Sequence, residues 1–329
     1  THKREARSAV SKQAKRVLEA RYQDAVRIAI DNLGTRFVDA LEARESGRFA
    51  EENRKKLDEM LAEARQRAQS DPNQKEPAMS DHDGLVLERR VAGMLVNAEQ
   101  GKLRKVKRQI CEMLAFPIEA ADSLELRGSL RDYAPALPPD GELVSLALCQ
   151  RPDLVAQRME IHRSLRDVDL AMANRFADAY LVYSPWSYRD NSGVSEKSIS
   201  SWGAGAFITI PLYNRNQGNV RRARITVLQA RSELVVAERR AQVEVLNAVE
   251  EYRASKRELD EIEREILPAI RRRRDDAQKR YHSAEIDADK YLSNRRDFNS
   301  IVRHYRDTLV RHRRSMLEVN FAVGQRILP

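Results

Sequence analysis

Between Val220 and Ile266, small or apolar residues recur at steps of three and four, and this pattern constrains the fold more than any other feature of the chain. They fall at Val220, Ala223, Val227, Ala230, Leu234, Ala237 and Ala241, then at Val245, Ala248, Tyr252, Ser255, Leu259, Ile262 and Ile266. Such spacing winds a narrow apolar seam along one face of a helix, and the seam is buried only if other long helices lie against it. Ala237, Ala241 and Val245 follow one another at four and four, a stutter that locally unwinds a left-handed supercoil. Alanine at many seam positions brings the partner helix close. About 50 residues at 1.5 Å each predict a helical rod of roughly 75 Å.

Composition agrees with extended helices and argues against a large globular core. The 329 residues include only 12 Gly, 11 Pro and 6% aromatics, while 33% are charged. The net charge of +9 arises from 59 Lys and Arg against 50 Asp and Glu, and both signs alternate along the same segments, as on solvated helix faces. The run Arg271–Arg274 has no interleaved aromatics for base stacking and suits the negative end of a helix dipole, so no nucleic-acid partner is expected. Cys111 and Cys149 are far apart and lack neighbours at ligand spacing, which excludes a disulfide scaffold and a structural zinc site. No stretch approaches the roughly 18 apolar residues of a transmembrane helix.

The chain divides at its turn residues. Residues from about 3 to 69 read as one helix with weak points at Gly34 and Gly47, broken by the run Ser70 to Gly84 with Pro72 and Pro77. A second, antiparallel helix spans about 85–115, and Pro117, Pro135, Pro138 and Pro139 mark a connector. A third helix, about 142–176, is stepped at Arg151-Pro152; two more follow at about 218–281 and 287–323. A shift of 217 residues lays Ala6, Val10, Val17, Ala20, Val26 and Ile28 on Ala223, Val227, Leu234, Ala237, Val243 and Val245, which suggests a duplicated helical hairpin. The expected organisation is a first-repeat long helical hairpin (1–116), a connector (117–141) and a second repeat (142–329) holding a helix, a β-hairpin at about 178–214 and a long helical hairpin at 218–323.

The island at 178–214 has the period of strands. In Ala179 to Tyr188 aromatics recur at Tyr180, Tyr183, Trp186 and Tyr188. In Gly203 to Tyr213 one face carries Ala204, Ala206, Ile208, Ile210 and Leu212, and the other Gly203, Gly205, Phe207, Thr209 and Pro211. The polar stretch Asp190 to Ser201 joins the two. Each strand is long enough to cross a bilayer when tilted, with Tyr183, Trp186, Tyr188, Trp202 and Tyr213 placed as an interfacial aromatic girdle and the Ala204 to Leu212 face toward lipid. A lone hairpin cannot satisfy its own edges, so it must pair with further strands. The alternative at this point is a hairpin lying against the helices of a soluble protein. The fold class is thus mainly α, with long antiparallel coiled-coil helical hairpins and one two-stranded β-hairpin.

No catalytic constellation is present. His2, His82, His162, His282, His304 and His312 are dispersed and read as surface histidines on a coiled coil. Asp81-His82-Asp83 is a weak cation motif, and nucleophile elbows, phosphate loops and Cys-x-x-Cys are absent. Neither an enzyme nor a cofactor or resident metal is expected.

Two segments carry a family resemblance. Cys149-Gln-Arg-Pro-Asp-Leu154 and Ile210-Pro-Leu-Tyr-Asn-Arg-Asn-Gln-Gly-Asn219 resemble the TolC-type outer-membrane efflux family, the second particularly its cobalt-zinc-cadmium (CzcC-like) branch. Leu267-Pro268 and Tyr281-His-Ser-Ala-Glu-Ile286 continue the series. The resemblance implies a homotrimer in the outer membrane of a Gram-negative-type cell. Its strands form a shared transmembrane β-barrel, and its helices continue as an α-barrel into the periplasm. Such proteins are passive exit ducts that work with a periplasmic adaptor and an RND-type inner-membrane pump, here for solutes that include divalent metal cations in heavy-metal resistance. Membrane lipid is a further partner. By position, Ser283, Ala284, Glu285 and Ile286, with Asp287 and Asp289 beside them, correspond to the periplasmic tip and adaptor contact; Ala284 stands where the family usually has glycine, and the two aspartates would favour cations. The 217-residue offset sets Thr1 on Gly218, so the opening helix and strand pair of the first repeat lie outside this chain. The rival readings are a scaffolding coiled-coil protein without a channel, and a periplasmic adaptor, which would need a lipoyl-like β domain not found here.

Overall fold

The computed structural model describes residues 2–70, 75–131, 136–189, 197, 199–209, 213, 215–283 and 285–329, with the side chains of 67–70 and 75–81 outside that description. The helices are α1 (His2–Ser70), α2 (Lys75–Met113), α3 (Ala120–Ser123), α4 (Asp140–Gln150), α5 (Pro152–Ala173), α6 (Gln217–Glu261), α7 (Leu267–His282) and α8 (Ala288–Val323). Strands β1 (Ala179–Arg189) and β2 (Ile199–Ile208) pair antiparallel between α5 and α6.

Several expected breaks are absent, for reasons of packing. Gly34 and Gly47 do not interrupt α1. A Cβ at Gly34 would lie 3.2 Å from Leu317 Cδ1, so the glycine lets α8 approach the α1 backbone. The break expected over Ser70 to Gly84 is also shorter, because α2 already starts at Lys75. Pro77 is in its first turn, where a missing N–H removes no intrahelical bond. Gly84 lies inside α2, where a Cβ would sit 3.6 Å from Leu292 Cδ1. Pro72 lies outside the described residues.

Other helices divide where proline forces them to. The step expected at Arg151-Pro152 divides the 142–176 region into two helices, because Arg151 is extended (φ −60°, ψ 122°) ahead of Pro152, which opens α5. Between α6 and α7, Ile262–Ile266 form a π-turn in which the N–H of Leu267 reaches back to Ile262 O. Pro268 follows, and its lack of an N–H and its bulky ring explain why the helix widens by one residue here.

By contacts the chain forms two compact units, one of residues 1–24 and 152–239 and one of residues 25–151 and 240–329. This division follows packing and differs from the division into 1–116, 117–141 and 142–329 expected from the sequence. In the first unit, Val17 and Ala20 of α1, Leu154, Val168 and Ala171 of α5, and Val220, Val227 and Ala230 of α6 are buried. In the second unit the seam turns at the stutter, where Ala241 and Val245 are fully buried and Val249 and Tyr252 follow. These last three residues pack with Leu143 and Ala147 of α4 and with Met316, Val319 and Val323 of α8. At the far end of the long hairpins another core joins Leu57, Leu61 and Ala64 (α1), Leu85 and Ala92 (α2), Tyr281 (α7), and Tyr291 and Leu292 (α8). Tyr281 and Tyr291 stack there at 5.0 Å.

His312 departs from the surface role expected of it. Its side chain is buried, with Nδ1 3.0 Å from Ser255 Oγ, which in turn lies 3.1 Å from Ser315 Oγ. Its ring packs against Tyr252 at 5.1 Å.

Candidate functional site

The hairpin register decides which side chains share a face. Ala179 lies opposite Ile208, Leu181 opposite Ala206, and Tyr183 opposite Ala204, while Tyr180, Val182 and Ser184 face Phe207, Gly205 and Gly203. Past Ser184 the ladder shifts, and pairing resumes at Ser187 with Ser201. β1 therefore has one residue more than β2 in this interval, a bulge at Pro185-Trp186, where proline has no N–H to give the ladder. The bulge reverses the alternation of β1. Trp186 and Tyr188 come onto the face of Tyr183, although their sequence parity would put them on the face of Tyr180.

One face then carries Ala179, Leu181, Tyr183, Trp186, Tyr188, Trp202, Ala204, Ala206 and Ile208, together with Ser200. The other face mixes Ser184, Ser187, Arg189, Ser201, Gly203 and Gly205 with Tyr180, Val182, Ile199 and Phe207. Ser187 Oγ and Ser201 Oγ lie 2.9 Å apart on this second face. Large apolar residues on the first face are open within the chain: Leu181 is 91% exposed, Trp186 70% and Trp202 71%. Trp186 and Tyr188 lie 6.3 Å apart near the loop end, Tyr183 stands mid-strand, and Tyr213 is exposed beyond β2 at the opposite end. Ile210 and Leu212 of the expected face lie outside the described residues.

The base of the hairpin is built by polar side chains. Thr209 N–H donates to Asp178 O at 3.1 Å, and Lys3 Nζ donates to Asp178 Oδ1 at 2.6 Å and Phe176 O at 2.8 Å. Of the segment Asn214-Arg-Asn-Gln-Gly218, singled out by its resemblance, Arg215 and Asn216 lead into α6, which opens at Gln217, and Asn214 lies outside the described residues. Asn216 takes the left-handed conformation (φ 61°), which asparagine tolerates better than most residues. Its Nδ2 donates to Ala171 O at 2.9 Å and its Oδ1 accepts from Asn219 Nδ2 at 2.6 Å.

In the second unit, the turn between α7 and α8 holds the expected tip residues. Ser283 Oγ lies 3.0 Å from Glu285 Oε1, and the N–H of Glu285 donates to Arg280 O at 2.9 Å. Ile286 packs against the tyrosine-lined core. Asp287 is the N-cap of α8, its Oδ1 accepting from Lys290 N at 3.0 Å. Asp289 follows in the first helical turn, and Ala284 lies outside the described residues. Sequence reasoning missed Arg295, which is buried on α8 and donates from Nη2 to Asn53 Oδ1 at 2.8 Å and Asn53 O at 3.0 Å. Nothing in its spacing separates it from the surface arginines around it.

Among the described residues no helix is long and apolar enough to cross a membrane, and no group of three or more His, Cys, Asp and Glu is placed to hold a metal ion. The comparisons bear on the hairpin and the helices around it. Residues 143–285 match the outer membrane efflux protein family. This efflux-family segment, less than half of the chain, contains Arg151-Pro-Asp-Leu154, the whole hairpin, α6 and α7. No curated protein matches the chain. Among solved structures it is similar to a membrane protein from Pseudomonas aeruginosa, with a TM-score of 0.79 and 16% identity over 98% of this chain and 72% of that one. It is similar to the outer-membrane channel OprN, with a TM-score of 0.77 and 18% identity over 98% and 72% of the two chains. For CusC, described as forming a transmembrane channel, the TM-score is 0.76 and the identity 16%, over 98% and 74%. The fold is shared with these membrane and channel proteins.

Proposed function

We propose that this chain is the outer-membrane component of a tripartite efflux system, a passive exit duct that works as a homotrimer. The observation that carries this reading is the two-faced hairpin. One of its faces is almost wholly apolar, the other is rich in serine and glycine, and both are open within a single chain. Eleven residues in β1 give roughly 35 Å of strand, enough to cross the apolar layer at a barrel's tilt. Strand edges left unpaired by one chain find partners in other copies, and only a closed barrel satisfies them in lipid. In this reading Ala204, Ala206, Ile208, Ile210 and Leu212 face lipid, Trp186, Tyr188, Trp202 and Tyr213 form the girdle, and Tyr183, expected in that girdle, lies opposite Ala204 within the apolar band. The helices extend into the periplasm. There the turn carrying Ser283, Ala284, Glu285, Ile286, Asp287 and Asp289 meets a periplasmic adaptor, which couples the duct to an RND-type inner-membrane pump.

Extraction of the full-length protein from cell membranes tests this. Release only by detergent, with a trimeric mass by light scattering and ion conductance in planar bilayers, supports the duct. A dimer that dissolves in buffer alone, without conductance, would establish the scaffold instead.

For cargo we propose divalent metal cations. The support is the resemblance of Asn214-Arg-Asn-Gln-Gly218 to the cobalt-zinc-cadmium branch. Deleting the gene and comparing growth in zinc, cobalt, copper and several drugs decides between cargo classes; sensitivity to drugs alone would overturn the metal assignment.

A further inference from the structure

Within the first unit, the base of the hairpin gathers the start of α1, the end of α5 and the start of α6. Lys3 bonds to Asp178 and to Phe176 O, and Asn216 bonds to Ala171 O, so the three segments meet within hydrogen-bonding distance. Around this junction the interspersion of charges seen elsewhere fails. Residues 213–232 carry five arginines and no Asp or Glu, and residues 2–18 carry six Lys and Arg against Glu5 alone. These two stretches hold an excess as large as the +9 of the whole chain. Arg4, Arg7, Arg215, Arg221, Arg222 and Arg224 are all exposed, and no ion pair of theirs is found among the described residues. Two exposed aromatics lie beside them: Phe176, whose carbonyl accepts from Lys3, and Tyr213, two residues before Arg215 and 93% exposed.

A surface that passes within a few residues from apolar wall, through aromatics, to unpaired arginines has the order of layers met on leaving a bilayer through its headgroups. Guanidinium groups there present paired N–H donors that match phosphate oxygens. We infer that this basic collar binds the phosphate headgroups of anionic phospholipids in the leaflet next to the helices. The inference rests on the reading of the hairpin as barrel wall. Charge complementarity selects the occupant: a zwitterionic lipid brings its own ammonium group into a site already crowded with cations, whereas phosphatidylglycerol brings only the phosphate.

The test uses the full-length protein in micelles holding equal phosphatidylglycerol and phosphatidylcholine, with retained lipid identified by native mass spectrometry. The expected result is enrichment of phosphatidylglycerol by roughly fivefold or more, falling as salt is raised. In a variant carrying Arg4→Gln, Arg7→Gln, Arg221→Gln, Arg222→Gln and Arg224→Gln the ratio should approach one, with an unchanged circular dichroism spectrum. Equal retention of the two lipids by the unmodified protein would overturn the collar, as would undiminished enrichment in the variant. A variant with altered anion selectivity in planar bilayers and unaltered lipid retention places the arginines on the lumen and overturns it too. Insertion into pure phosphatidylcholine vesicles separates the two readings. A protein that inserts without lipid preference loses only the collar, whereas one that inserts into no vesicle loses the barrel wall and the collar with it.

Discussion

Arg151 donates from Nη1 to Glu244 Oε2 at 2.6 Å, with 5% of the arginine side chain exposed and 40% of the glutamate. The same nitrogen reaches Ala322 O at 3.2 Å, close to the end of α8. One side chain from the α4–α5 step thus joins α6 and the last turn of α8. The motif Arg-Pro-Asp-Leu divides its work accordingly. Arginine locks the second unit, proline opens α5, Asp153 Oδ1 accepts from Leu154 N at 2.9 Å, and Leu154 is fully buried in the first unit.

Replacing Arg151 by Met should cost about 2–3 kcal/mol, because it removes a charge-assisted bond and leaves Ala322 O without that donor. Glu244→Gln should cost less, since that carboxylate is partly solvated. Thermal midpoints of the two variants in detergent check the order; equal midpoints for Arg151→Met and the unmodified protein would refute the lock.

Gly324 ends α8 in the left-handed region (φ 80°), its N–H donating to Asn320 O at 3.0 Å. A Cβ there would meet Arg151 Cγ at 3.1 Å and Arg151 Cα at 3.2 Å. Gly324→Ala is therefore expected to lose about 1–3 kcal/mol from backbone strain and crowding, read as a lowered thermal midpoint.

On the hairpin, Ala204→Arg and Ser184→Arg form a matched pair near mid-strand on opposite faces. If the apolar face meets lipid, Ala204→Arg should cost about 2–4 kcal/mol and reduce membrane assembly, while Ser184→Arg should leave assembly intact and change conductance. Ile208 lies at the strand end opposite Ala179, so Ile208→Arg should cost about 1 kcal/mol or less. Heat-modifiable gel mobility of the membrane fraction ranks the three.

Burial, with Lys256 and Arg313 nearby, holds the His312 imidazole below its ordinary 6.5, against the opposing pull of Asp260. The folded state thus keeps His312 neutral while the unfolded chain takes up a proton at about 6.5. Stability from this residue is complete above that pH and declines as pH falls below it, until the depressed folded value is reached. The thermal midpoint between pH 7.5 and 5 should fall in the unmodified protein and fall less in His312→Asn, each referenced to its own value at pH 7.5.

Asp287→Ala removes the α8 N-cap and should cost about 1 kcal/mol, whereas Asp287→Asn keeps an accepting oxygen and should change stability by only a few tenths. Asp287→Asn also separates capping from the cation attraction proposed for this turn. Unchanged cation preference in planar bilayers would assign the carboxylate to capping alone.

Spacing alone made the helices, the strand pair and their order legible, since a seam at three and four and an alternation at two each bury one face in only one kind of element. Thus Val220 to Tyr252 reads as helix from its seam, and Arg151-Pro152 reads as a step because proline dictates the backbone before it. What spacing omits is distance along the chain. Arg151 finds Glu244 and Ala322 far away in sequence, and Arg295 and His312 look like any surface residue until the helices opposite them are in place. Gly34 reads as a weak point until Leu317 stands 3.2 Å from where its Cβ would be. Pro185 was visible in the sequence, yet only the pairing across the hairpin showed that it bulges the ladder and moves Trp186 and Tyr188 to the apolar face. Local periodicity thus determined which elements form; which faces they share, and which buried charges they enclose, was decided by tertiary packing, because those contacts join residues that chain order keeps apart.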